Sequence, residues 1–241
     1  MPIIDLNADL GEGGSQDAAL IALVSSANIA CGGHAGDEST MRATIDACLA
    51  AGVAIGAHPG YEDREHFGRR ALELSPAAVT DLVARQVACL AEKTVPHHVK
   101  PHGALYHQAD RDPVLAAAVA EGVARTVPGC QFYAPPGGAL AAAGKQAGLQ
   151  VRAEGFVDRR YLENGSLVPR GEPGAVIGDL RTAIAQALQI ACKQRVKTVA
   201  GTWFPLPAET LCVHGDSPRA LEMLSAVRHS LTDAGLKLQA P

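Results

Sequence analysis

The chain has 241 residues, 47% of them hydrophobic and 19% charged, with a formal net charge of -4. That balance excludes the polar, charge-rich signature of disorder and provides none of the basic surface that neutralises nucleic-acid phosphates or anionic lipid. No apolar run approaches the roughly 20 residues of a membrane span, and the opening Met1-Pro2-Ile3-Ile4-Asp5 carries an acid where a secretory segment would carry Lys or Arg. A cytoplasmic protein with one packed domain over residues 1–241 is expected.

In chain order, short β-like runs alternate with Ala-rich segments of helical length, the sequence form of βα units around a parallel sheet. Strands are predicted at Ile3 to Asn7, Ser26 to Ala30, Ala54 to Ala57, His97 to Lys100, Gln131 to Ala134, Val151 to Glu154 and Glu209 to Val213, with an eighth at Lys197 to Trp203. Helices are predicted at Gln16 to Val24, Ser39 to Ala51, Pro76 to Lys93, Asp112 to Thr126, Gly137 to Ala147, Ala175 to Lys193 and Pro218 to Ala234. Ser75-Pro76 and Ser217-Pro218 each place a capping hydroxyl before a proline at the first helical position. Gly52, Gly148 and Gly235 stand where a left-handed residue would end a helix. Residues 155–174 lose periodicity to charges, Gly and Pro, and so long a loop in a compact domain is usually functional. The six cysteines form no C-x-x-C pair or regular framework, so they read as buried thiols, with Cys31 and Cys212 set apart by their polar surroundings.

Each predicted strand runs into a cluster of Gly with His, Asp, Asn, Glu or Lys. Alternation places Asp5, Asn7 and Asp9 on one face of the first strand. Inward carboxylates are costly unless paired or ligated, so this face is read either as metal ligands or as general base and substrate anchors, with loop bonding and helix capping as the structural alternative. The second strand leads to Cys31-Gly32-Gly33-His34-Ala35-Gly36-Asp37, the third to His58, the fourth to Lys100 and His102, and the last to His214 and Asp216. Four histidines at equivalent strand ends point to the face where active sites of βα barrels lie. Lys100 can anchor a carboxylate or an oxyanion, and the pairs Arg69-Arg70 and Arg159-Arg160 can hold carboxylate or phosphate. His66, His97, His98, His107 and His229 are assigned to the surface or to supporting positions.

Gly138 to Gln146 superficially resembles a phosphate-binding loop, but it has five residues between its glycines and Gln where Ser or Thr should hold magnesium, so it reads as helix. There is also no G-x-G-x-x-G after the first strand and no G-x-S-x-G elbow.

The segments DLNADLGE, ANIACGGHAGD, GAHPGY with FGRR, VKPHGALYH, EGFVDRRY, LVPR and CVHGDSP together resemble the LamB/YcsF family, in order and from Asp5 to Pro218. Gly33 departs from the family pattern, where a bulkier residue stands. The resemblance implies an α/β, TIM-like (β/α) barrel of about seven strands, of the glycoside hydrolase/deacetylase kind. It also implies the A component of an ATP-dependent 5-oxoprolinase, working with subunits B and C on 5-oxoproline, with ATP and Mg2+ as co-substrate. The expected catalytic residues are Asp5, Asn7, Asp9, His34, His58, Lys100 and His102. Glu12, Asp37, Arg69, Arg70, Arg160, His214 and Asp216 are expected to bind substrate. Asp5, His58 and His102 are the candidates for any metal. A metal-dependent amidohydrolase or deacetylase of carbohydrate amides and a non-catalytic substrate-binding subunit are the competing readings, and a homo-oligomer stays open.

Overall fold

The computed structural model describes residues 1–216 and 219–241, so the cap expected at Ser217-Pro218 lies outside the described residues. The strands are β1 (Ile3–Leu10), β2 (Ser26–Ala30), β3 (Ala54–His58), β4 (His98–Val99), β5 (Gln131–Ala134), β6 (Gln150–Phe156), β7 (Arg195–Lys197), β8 (Trp203–Pro205), β9 (Thr210–Cys212) and β10 (Lys237–Leu238). β1 through β6 pair in sequence order, β6 pairs with β9, and β9 returns to β1, all in parallel, which closes a seven-stranded barrel. β10 adds a short parallel pairing to the start of β1 at Ile3 and Ile4.

The helices are α1 (Asp17–Ile21), α2 (Glu38–Ala51), α3 (Pro76–Ala91), α4 (Gly103–Ala109), α5 (Pro113–Thr126), α6 (Ala139–Gln146), α7 (Leu180–Lys193) and α8 (Ala220–Asp233). Ser75 caps α3 as its sequence signals, accepting from the Ala78 amide, and Gly52 ends α2 at φ +67. Among the described residues no helix is long and apolar enough to cross a membrane.

Several expectations need correction. The expected eighth strand is an antiparallel ribbon of β7 and β8 outside the barrel, because the chain turns back through Gly201 at φ +84 and Arg195 stacks on Trp203 at 4.0 Å. α7 begins at Leu180, not Ala175: Asp179 captures the Thr182 amide as its cap, while Val176 bridges to Arg159. α4 has no counterpart among the predicted helices, since Pro101 and Gly103 read as loop residues. Cys192 is exposed and Cys89 and Cys130 are half-buried, so only Cys31, Cys48 and Cys212 match the expected buried thiols.

The barrel wall separates two kinds of interior. Outward-facing strand residues such as Leu6, Leu10 and Ile29 are fully buried against the helices, together with Val83, Leu90 and Leu105. Each fully buried Leu or Ile side chain contributes roughly 1.5–3 kcal/mol to folding. Inside the barrel, where branched apolar layers are usual, this chain places Asp5, Asn7, Asp9, Ser26, Asn28, His98, Lys100, Tyr133, Glu154, Thr210 and Cys212, all buried. Asp5 is satisfied by hydroxyls alone, accepting from Ser25 (2.6 Å), Ser26 (2.7 Å), Thr210 (2.6 Å) and Tyr133 (3.0 Å). His98, assigned from sequence to the surface or to support, is fully buried, donates from Nε2 to Asn28 Oδ1 at 2.7 Å and stacks on Tyr133 at 4.0 Å. Gly56 makes room for it: a Cβ there would overlap the His98 ring.

The setting of His98 makes two outcomes testable. Gly56→Ala should destabilise the chain by at least about 1–3 kcal/mol in urea unfolding, because neither the ring nor the backbone can withdraw. Burial first, then the charges of His97 and Lys100, hold the His98 imidazole well below its ordinary value. The unfolded chain therefore takes up a proton near pH 6.5 that the folded chain refuses, so this contribution is present above pH 6.5 and is lost as pH falls. The urea midpoint should drop below that pH, with up to about 1.4 kcal/mol per pH unit from this group, and His98→Gln should flatten the slope.

Candidate active site

The carboxyl ends of the strands carry three tiers of polar side chains. The lowest centres on Lys100, just beyond β4. Its Nζ lies 3.0 Å from Asp9 Oδ1, 2.9 Å from Glu154 Oε1, 3.0 Å from Cys212 Sγ and 3.3 Å from Asn7 Oδ1. Burial alone would neutralise this amine, but Asp9, Cys212 and Glu154 hold it well above its ordinary value, so it stays an ammonium. Burial likewise opposes the charge of Asp9, yet His58 and Lys100 keep that carboxyl well below its ordinary value. Asn7 links the tier together, donating to Glu154 Oε1 at 3.1 Å and Thr210 at 2.7 Å while accepting from Asn28 at 2.8 Å. Tyr106 donates to the other Glu154 oxygen at 2.9 Å.

The middle tier holds His58, from the end of β3, with His34, His102 and Glu12 from the loops after β2, β4 and β1. His34 and His102 stack with centroids 3.7 Å apart, and His58 meets both edge-on. His34 Nε2 lies 3.2 Å from Glu12 Oε1, and His58 Nε2 lies 3.4 Å from Asp9 Oδ2. Burial first, then the neighbouring His58, lowers His34 to about 2; burial first, then Asp9 and Asp216, raises Glu12 well above its ordinary value. Gly33 accommodates Gln86, whose amide is bonded both ways to the Gly60 backbone; a Cβ at position 33 would strike it.

The upper tier is the rim of a cavity of about 570 Å³ that reaches Asp9, His58, Lys100 and His102 at its floor. Asp158 accepts from His214 Nδ1 at 2.9 Å and from the His214 amide at 3.1 Å. Arg170 donates to Asp216 at 2.9 Å, and Arg69 pairs with the same carboxylate. Arg159 is buried, spends one guanidinium nitrogen on the Val168 carbonyl at 2.6 Å, and has an Nε with no hydrogen-bond partner among the described residues.

The structure thus gathers Asp9, Glu12, His34, His58, Lys100 and His102, with Arg69, His214 and Asp216 at the rim. It separates others. Asp5 lies lower in the barrel and is filled by its four hydroxyls, so Glu12 rather than Asp5 stands beside His58 and His102, while Asn7 stays in the Lys100 tier beneath them. Asp37 is exposed and caps α2 through Thr40. Arg70 is 57% exposed and pairs with Asp63, and Arg160 is exposed while its neighbour Arg159 lines the cavity. Sequence reasoning does not select Glu154, Asp158 or Arg170. Inward alternation with Arg152 and Phe156 along β6 is the available signal for Glu154; the other two sit in irregular loops with no periodicity to read.

Fold and site together define a closed (β/α) barrel with a buried ionisable centre at the carboxyl ends of its strands. Residues 4–241 match the LamB/YcsF family, and the chain belongs to it. Among solved structures it is similar to a lactam utilization protein from Thermus thermophilus, at 40% identity and TM-score 0.92, covering 99% of this chain and 100% of that one. The barrel is also shared with a T48 deacetylase (TM-score 0.54, 12% identity, 98% of this chain and 87% of that one) and with a family 4 carbohydrate esterase from Streptomyces lividans (TM-score 0.51, 12% identity, 98% and 91%).

Because Asp37 acts as a helix cap, Asp37→Ala should cost about 0.5–2 kcal/mol of stability while leaving the imidazole NMR signals of His58 and His102 in place. Displaced signals at unchanged stability would instead make it part of the site.

Proposed function

We propose that this chain is the A component of an ATP-dependent 5-oxoprolinase, a hydrolase that opens the lactam of 5-oxo-L-proline to L-glutamate together with subunits B and C. The observation that carries this reading is full-length similarity to a lactam utilization protein, at 40% identity. The cavity supports it chemically. It sets arginine donors above a floor of imidazoles and the Asp9 carboxylate.

A lactam is a poor electrophile because its nitrogen donates into the carbonyl. Transfer of the γ-phosphoryl group of Mg2+-bound ATP to the lactam oxygen forms an O–P bond, releases ADP and makes the ring carbon attackable. Water then adds to that carbon, the C–N bond breaks, and the nitrogen takes a proton, giving an acyl phosphate. A second water releases phosphate and leaves glutamate.

Within this scheme, Arg159 anchors the substrate carboxylate, since its buried Nε lacks an acceptor among the described residues. His214 carries the proton. Asp158 accepts its Nδ1–H, which leaves Nε2 with the lone pair at the cavity wall.

A metal-dependent amide hydrolase is the second reading, favoured by the crowding of imidazoles and Glu12 around one point. Glutamate formation separates the two. Turnover should need ATP and appear only when this chain is combined with its partner subunits. Turnover without ATP, or none from a folded and associated assembly, would favour the amide hydrolase. In the assembly, Arg159→Met should raise KM by about tenfold or more through loss of a charged hydrogen bond worth roughly 1.5–3 kcal/mol. His214→Gln should lower kcat by about 10²–10⁴.

A further inference from the structure

Two hydrogen bonds at the top of the barrel fix the protons of two imidazoles. His58 Nδ1 lies 2.7 Å from the Lys100 carbonyl oxygen, and His102 Nε2 lies 2.9 Å from the Phe67 carbonyl oxygen. A carbonyl oxygen only accepts, so both nitrogens carry hydrogen, and in a neutral imidazole the other nitrogen is then bare. Those other nitrogens, His58 Nε2 and His102 Nδ1, face each other at 2.9 Å. Two lone pairs at that separation repel unless a proton or a metal ion lies between them.

The surroundings add more lone pairs. Glu12 Oε1 is 3.6 Å from His102 Nδ1 and 3.2 Å from His34 Nε2. One donor atom from each of Glu12, His34, His58 and His102 lies within 4.8 Å of all the others. Lys100 does not supply the missing charge, because its ammonium is spent on Asp9, Glu154, Cys212 and Asn7. The same ammonium already bonds Asp9 and Cys212 of the neighbouring Asp9, Cys212 and His214 group, which disfavours a second cation there.

We propose that Glu12, His34, His58 and His102 form a binding site for a divalent transition ion of the zinc type. His58 Nε2, His102 Nδ1 and Glu12 Oε1 are its principal ligands, and His34, which stacks on His102, joins as the fourth only by turning its ring out of that stack. Imidazole nitrogen with a single carboxylate selects zinc, cobalt or nickel over magnesium, which prefers oxygen. The Lys100 and Phe67 carbonyls are the outer partners that fix the tautomer of a ligating histidine. His34 has no such partner among the described residues at Nδ1, so it contributes least. Gly60 and Gly68 keep the space: a Cβ on either would press on the His34 and His102 side chains.

The test uses the full-length chain, stripped with a chelator and titrated with Zn2+ and Co2+ against a chromogenic competitor, with Mg2+ as contrast. Expected are one Zn2+ per chain, a visible Co2+ absorption band of a four-coordinate site, and no competition from Mg2+. Glu12→Gln and His102→Ala should keep the native circular dichroism and each weaken Zn2+ by at least about 100-fold, more than the loss of an outer partner costs; His34→Ala should cost less than His102→Ala. His229→Ala, in an exposed part of α8, should change nothing. Should the variants fail to fold, the stoichiometry and Co2+ spectrum of the unmodified chain still decide. Absence of stoichiometric Zn2+ binding, or undiminished affinity in folded Glu12→Gln and His102→Ala, would overturn the proposal and assign the His58–His102 contact to a shared proton. No lactam enters these measurements, so their failure and that of the 5-oxoprolinase reading are independent.

Discussion

A single ammonium inside the barrel holds the rest of the site in place. Lys100 is 2% exposed and lies among two carboxylates, a thiol and an amide oxygen, all within 3.3 Å of Nζ. An uncompensated charge at that depth would be prohibitive; paired with Asp9 and Glu154 it becomes tolerable, and it obliges both acids to stay where they are. A closed parallel barrel makes such pairing feasible, because alternation on β1, β6 and β9 brings residues from distant parts of the chain to one height.

The upper tier inherits this order. The Lys100 carbonyl fixes the His58 tautomer while its side chain fixes Asp9, so one residue orients two neighbours by two different groups. Below, Asn7 and Asn28 carry the network to His98 and Tyr133, and four hydroxyls absorb Asp5. The barrel floor is therefore a scaffold built from polar groups, and the groups that the proposed chemistry would use lie one layer higher, among the histidines, Glu12 and the rim arginines. This division explains why residues on the same face of β1 have different fates: Asp5 is closed off, whereas Asp9 borders the cavity.

Much of this is legible in the sequence. The alternation of β-like runs with helical segments points to the barrel, and the Gly-rich clusters after each run point to His34, His58, Lys100 and His102. What alternation alone does not say is height along the strand, so Asp5, Asn7 and Asp9 look equivalent. Asp37 looks like a ligand because a capping carboxylate and a binding carboxylate share the same Gly-rich setting. Arg159 and Arg160 cannot be told apart without the backbone of their loop. β10 and α4 are too short, or too rich in Gly and Pro, to leave a periodic trace.

Whether the Lys100 pairing with the interior acids organises the site is tested most directly by a double-mutant cycle. Urea unfolding of Lys100→Met, Glu154→Gln and the double variant would be measured beside the unmodified chain. If the pairing has this role, losing Lys100 alone costs about 3–5 kcal/mol, the double variant recovers part of this, and the coupling energy is about 1–3 kcal/mol. Additive effects, agreeing within about 0.5 kcal/mol in folded variants, would contradict it.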